Sequence, residues 1–310
     1  MPEARDPRAL RETVTMDADR TRPRSTGLAW PAAVAGITAF SFSAALYKLS
    51  GAPPAVGSAL RFAYGAVFLA LLAWRAGVLR PGPGFAPAAS AGVLVGLEVV
   101  TWNEATRRIG AGPSTVIVNT ASLWVMALTV VVLRRPVGLR PVAGAAVVLG
   151  GLALLRGTGE HRLELGGIAL AVFAAVLYGA FILIFERAVS AARDGISPVL
   201  WSTVVAVPVS AACAVVLGES WHLGVGQHAW LALLGVAVQA CGWLLIARSL
   251  SSFSAVAVSV LLLFQPALAA VWGVAFLDER LIAIQVAGIA IVLVGVTIAR
   301  PRADRVSRAR

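Results

Sequence analysis

A chain of 310 residues that is 59% hydrophobic and 13% charged, with a mean hydropathy of +0.84, has too few charged side chains to cover a water-facing surface, which excludes a soluble globular fold. Its apolar residues come in runs of about 18–22, the length a helix needs to cross a hydrocarbon core, and not in the alternating segments of about 10 residues that build an outer-membrane barrel. The formal charge of +11 comes from arginines in short loops and in both tails, so it is read as charge that orients a membrane protein and not as a nucleic-acid surface.

In chain order, residues 1–27 are polar and rich in Pro and Arg and read as a disordered cytoplasmic tail. The apolar run that follows is too long for a signal-peptide core and lacks a cleavage site, so it is expected to stay as an uncleaved anchor. Apolar runs and their breakers then predict ten transmembrane segments, at 28–48, 55–75, 86–106, 112–132, 139–156, 166–186, 197–217, 227–247, 254–277 and 282–300. Gly51-Ala52-Pro53-Pro54, Pro81-Gly82-Pro83-Gly84 and Gly110-Ala111-Gly112-Pro113 punctuate them. A short basic tail, 301–310, closes the chain. With ten segments and a cytoplasmic N-terminus, 19 of the 26 Lys and Arg residues fall on the cytoplasmic side and six on the other, with Arg61 inside a segment. That bias fits the positive-inside rule and puts both termini in the cytoplasm.

The chain is written twice. Val142–Gly151 reads against Val286–Gly295 with seven of ten positions identical, and each copy closes a half of the chain. Five segments per half is an odd number, so the second half enters the bilayer upside down relative to the first. The expected fold is therefore an all-α integral membrane protein of ten transmembrane helices in two inverted five-helix repeats, 28–156 and 166–300. Inverted repeats of this kind are how many secondary transporters build a central site that opens to either side.

The sequence also resembles the EamA family of the drug/metabolite transporter superfamily. Lys48, Pro53-Pro54 and Leu60-Arg61-Phe62 follow one another in the first half, and Gln265-Pro266 and Leu277-Asp278-Glu279-Arg280-Leu281 in the second, in the order of that family's motifs. Gln265 stands where the family often has Glu, and Ala121-Ser122 and Arg134-Arg135-Pro136 stand at the matching places of the first half. The resemblance implies an inner-membrane carrier of small metabolites, often an exporter of amino acids or drugs; membership does not fix the substrate.

Glu98 is the most unusual residue of the apolar part, a carboxylate about 12 Å below the end of its segment, with Arg61 about 9 Å deep in the neighbouring one. A charge at that depth must face the bundle interior or a wet cavity. The two residues read either as a structural ion pair or as a carboxylate linked to protons or substrate. Thr115, Asn119 and Ser122 share one face of their segment, Gln239 and Trp243 another, and Gln265, Ala269 and Trp272 a third, beside Pro266, which lacks a backbone donor. With Trp102, Trp124 and Tyr178 they predict a cavity for a small amphipathic solute, against the alternative that the polar groups only join helices. Trp30, Trp74, Trp201, Trp221 and Trp230 lie near segment ends and read as interfacial anchors.

Other function classes lack their residues. His161, His222 and His228 fall in loops, and there is no nucleophile turn or metal-spaced His/Glu set within the segments, so no enzyme is expected. Cys213 and Cys241 sit in apolar runs and read as inert. No phosphate-binding Gly-rich loop occurs, so no cofactor and no ATP drive are expected. Scattered polar residues do not make a channel lining. The expected partners are a small-molecule substrate, the lipid bilayer and, if transport is coupled, protons.

Overall fold

The computed structural model describes residues 29–109, 111–155, 164–265, 267–268 and 283–299. The tails at 1–27 and 301–310, the Leu277–Leu281 turn and Trp272 lie outside the described residues. Every described element is helical. In chain order they are α1 (Ala29–Ser41), α2 (Ser43–Ser50), α3 (Pro54–Arg75), α4 (Phe85–Ile109), α5 (Ala111–Val118), α6 (Ala121–Val131) and α7 (Leu139–Leu155). The second half follows with α8 (Leu165–Ala191), α9 (Ser197–Val216), α10 (Val225–Leu233), a π-helical stretch (Leu234–Gly242), α11 (Trp243–Leu250), α12 (Ala255–Leu262) and α13 (Ala283–Ala299).

Among the described residues, six helical rods are long and apolar enough to cross a bilayer: Ala29–Ser50, Pro54–Arg75, Phe85–Ile109, Leu165–Ala191, Ser197–Val216 and Val225–Leu250. A 22-residue rod such as Pro54–Arg75 spans about 33 Å. Its start follows from Pro53 in extended backbone and Pro54 in the first turn, where a missing N–H leaves no bond unmade. Gly51 at φ 57° ends α2 just before it. The segments expected at 112–132, 139–156 and 282–300 are shorter helices, and the one expected at 254–277 is described as helical at Ala255–Leu262 and again at 265 and 267–268.

Segment four differs from the single helix expected at 112–132. It breaks at Asn119–Thr120, where Thr120 N–H donates to the Ile117 carbonyl (3.0 Å) and Leu123 N–H to the Thr120 carbonyl (2.8 Å), both three residues back. Two side chains turn back onto the same turn: Asn119 Nδ2 donates to the Thr115 carbonyl (2.7 Å), which also accepts the Asn119 N–H (3.0 Å), and Thr120 Oγ1 to that of Ile117 (2.6 Å). Segment nine breaks at the matching place of the second half. Leu263 and Phe264 N–H groups donate three residues back, to Val260 (3.2 Å) and Leu261 (3.0 Å). Both breaks sit halfway through their segments.

The two copies of the repeated sequence lie against each other, antiparallel. A Cβ on Gly151 would lie 2.8 Å from the Gly288 carbonyl oxygen, and one on Gly295 would lie 2.9 Å from that of Gly144. Gly144 and Gly288 are equivalent in the repeat, as are Gly151 and Gly295, so these are one contact made twice. Val148 and Val292, also equivalent, complete it; both are fully buried. Contacts that exchange in this way are the mark of a two-fold axis between like surfaces. A similar exchange joins the longer rods. Gly92 of α4 meets the Ser202 carbonyl of α9, and Gly235 of the π-helical stretch meets the Arg61 carbonyl of α3, each at 2.5 Å from the Cβ position. The main apolar core, with Phe62, Leu69, Phe181, Phe185, Trp243 and Ile246, lies where the two halves meet.

Loop contacts sort the chain into two ends. At one, Ser249 Oγ donates to the Ala29 carbonyl (3.1 Å), Ser197 Oγ to that of Val78 (3.3 Å), and Glu186 accepts from the Ala255 N–H (2.9 Å) at the start of α12. At the other, Glu219 accepts from the Ala55 and Val56 N–H groups (2.9 Å each), placing a negative charge on the N-terminus of α3. There Glu104 binds Arg107 (2.6 Å) and Arg108 (2.8 Å).

Candidate functional site

The deepest polar residues share one cavity at the meeting of the two halves. It is lined by Glu98 and Trp102 of α4, Arg61 of α3, Asn119 at the break in segment four, Gln265 at the break in segment nine, and Tyr178 and Trp243 of the second half. The space is narrow, about 70 Å³, enough for about five waters and too small for a metabolite without widening.

Glu98 is 5% exposed and Arg61 6%, but no salt bridge joins them. The direct pair that the depths suggest is replaced by an indirect arrangement. Arg61 NH2 donates to Gln239 Oε1 (3.2 Å), and Gln239 Nε2 donates to Thr203 Oγ1 (3.2 Å). One amide therefore ties α3 of the first half to α9 of the second. Gln239 lies in the π-helical stretch Leu234–Gly242, a distortion that recurs at functional sites. Arg61 Nε and Trp102 Nε1 are buried with no hydrogen-bond partner among the described residues. Such donors carry a desolvation penalty until something accepts from them.

Towards the end that carries Ala29 and Ser249, an aromatic cluster closes the cavity off. Trp243, 3% exposed, receives Phe40, Phe181 and Phe185 in edge-on contacts with ring centres at 5.0, 4.8 and 5.3 Å. Tyr178 stacks on Phe181 at 6.1 Å. Trp102, Ser43 and Thr115 line the cavity on its other side, towards the Glu219 end.

Of the residues singled out in the sequence, Glu98, Arg61, Trp102, Asn119, Tyr178, Trp243 and Gln265 line this cavity, and Gln239 sits one hydrogen bond behind it. Trp124 does not join them. It is 36% exposed, because it lies on the side of α6 where Gly179 lets α8 approach its Cβ, and the ring is left outward. Trp272 lies outside the described residues. Sequence reasoning missed Phe40 and Ser43, which line the cavity, and Thr203, which anchors Gln239. The run Ser41-Phe42-Ser43 in the middle of an apolar segment, where α1 gives way to α2, is the signal that could have found Ser43.

The EamA-like transporter family matches the chain twice, over residues 25–157 and 165–300. No match is found among curated proteins. Twenty-nine chains of solved structures match. One of them, a crystal structure of a protein, superposes with a TM-score of 0.75 over 89% of this chain and 98% of its own, at 17% identity. At that identity the likeness concerns the fold alone.

Proposed function

Because the chain belongs to the EamA-like transporter family, which accounts for both of its halves, we propose that this multi-pass membrane transporter of small solutes is a secondary carrier. It works by alternating access of two inverted five-segment repeats, 28–156 and 166–300, and it exports an amino-acid-like or drug-like metabolite across the cytoplasmic membrane. One observation carries the reading. Each half breaks its fourth segment at the matching place, Asn119–Thr120 and Leu263–Phe264, and Asn119 and Gln265, the residue after the second break, line the same cavity. Discontinuous helices at a repeat interface free backbone and amide groups for a solute in mid-membrane.

The solute in this reading is dipolar. Arg61 Nε and Trp102 Nε1 offer donors to an anionic or carbonyl oxygen, Glu98 accepts from a cationic or N–H group, and Tyr178 and Trp243 supply apolar wall. The aromatic cluster around Trp243 is the closed gate on the cytoplasmic side. That side is the Ala29–Ser249 end, where Arg75, Arg80, Arg134, Arg135, Arg140, Arg187, Arg193 and Arg248 gather, against Lys48, Arg107 and Arg108 among the described residues of the other.

The test is comparative metabolite profiling of cells with and without the protein, followed by flux of the accumulated compound in proteoliposomes. A compound that builds up inside cells lacking the protein, and crosses liposomes only when the protein is present, is the expected result. No change in any intracellular or released metabolite, with the protein present in the membrane, overturns the carrier reading.

A further inference from the structure

A second cavity, of about 640 Å³, opens at the Ala29–Ser249 end of the bundle, away from the transport cavity. Arg193, Arg248, Ser251 and Ser252 give it a polar wall and Leu244 and Leu245 an apolar floor. Neither arginine makes an ion pair among the described residues. The one acid in its lining, Asp194, is spent on its own turn: it accepts from the Ile196 N–H (2.8 Å), the Ser197 N–H (2.6 Å) and Ser197 Oγ (2.8 Å). Two cations therefore face an open space with no carboxylate of the described residues turned towards them.

An apolar groove of about 670 Å³ adjoins it. Trp30, Val34, Ile37, Leu261 and Phe264 line this groove, between α1 of the first half and α12 of the second, with almost no polar surface. The two spaces meet along one ridge. Ala29 and Ser252 line the polar one, and their chain neighbours Trp30 and Phe253 pack edge to face with ring centres at 6.0 Å. A cationic pocket, with an apolar groove along the span on the other side of one aromatic ridge, has the shape of an amphiphile with an anionic head.

We propose that this is a binding site for an anionic phospholipid, its phosphate between Arg193 and Arg248 and one acyl chain in the groove between α1 and α12. The groove selects a lipid over a free phosphate, and the arginines select an anionic headgroup over a zwitterionic one. The lipid would bridge the two halves on the gate side. This site does not depend on what the carrier transports.

The test uses the full-length protein, purified and incubated with mixed micelles of phosphatidylglycerol or phosphatidylcholine, with retained lipid counted by native mass spectrometry. The wild type is expected to retain phosphatidylglycerol at least tenfold over phosphatidylcholine. The double variant Arg193→Gln/Arg248→Gln loses that selectivity, and Ala35→Trp, which fills the groove, lowers retention with the arginines intact. Equal retention of the two lipids, selectivity that survives the double variant, or full displacement of the lipid by millimolar glycerol phosphate overturns the proposal. So does selectivity seen only after removal of residues 1–24, which would make the chain's own tail the occupant. The double variant's melting temperature in neutral detergent checks that it is folded.

Discussion

Glu98 is a buried carboxylate that makes neither an ion pair nor a hydrogen bond among the described residues, although an arginine faces the same cavity. A side chain in that state can change its proton without breaking a structural contact, which a coupling residue requires and a structural pair forbids. If export is driven by protons, Glu98→Gln is expected to reduce pH-driven flux in proteoliposomes to background while the protein stays in the membrane at wild-type level. Unchanged coupling in that variant removes Glu98 from the mechanism. Glu98 was legible in the sequence because a charge within an apolar run must be accommodated somewhere. Its relation to Arg61 was not. Depth along two helices says nothing about the azimuth at which each side chain leaves, and Gln239, far away in sequence, intercepts the guanidinium. Phe40 was illegible for the opposite reason: an aromatic side chain in an apolar segment is ordinary until its neighbours in space are known.

At the scale of elements, the long rods follow from apolar run length, and the starts of α3 and α9 from proline. The ends of the long rods lie within a few residues of those expected; the 27-residue α8 continues five residues past its expected end, and Glu186 within it accepts from the N–H at the start of α12. Two distortions were not legible. The break in segment four depends on Asn119 and Thr120 both turning back onto the preceding turn, and neither residue by itself stops a helix. The π-helical stretch has no composition of its own. The glycines were visible, and the structure gives them a sharp prediction. Gly151→Leu and Gly295→Leu meet the same surroundings from opposite halves, so each is expected to cut the yield of folded, monodisperse protein several-fold and to a similar degree. Gly150→Leu, where a Cβ meets nothing within 4 Å, is expected to be silent. Size-exclusion profiles of the three variants check this; one damaging and one harmless seam variant would break the equivalence of the two halves.

For the whole molecule, composition and the repeated ten residues already pointed to a membrane protein made of two related halves, and the family match spans both. The antiparallel seam could only be inferred from counting segments, since sequence identity carries no direction. The arrangement of the ends yields a topological prediction. With the Arg-rich end in the cytoplasm, a single cysteine at Ser252 in a background lacking Cys213 and Cys241 is expected to react with an impermeant maleimide only after cells are opened, and one at Ser220 to react in intact cells. The reverse pattern would place the aromatic gate on the outer side.

The α7–α13 seam has an implication for origin. Since equivalent glycines and valines meet across it, a polypeptide of half this length carrying only one copy would present a surface that fits a second molecule of itself inserted the other way up. The fused chain makes permanent a partnership that two separate, oppositely oriented copies could already form, and a gene encoding one half could assemble into a working ancestor before any linker joined the pair.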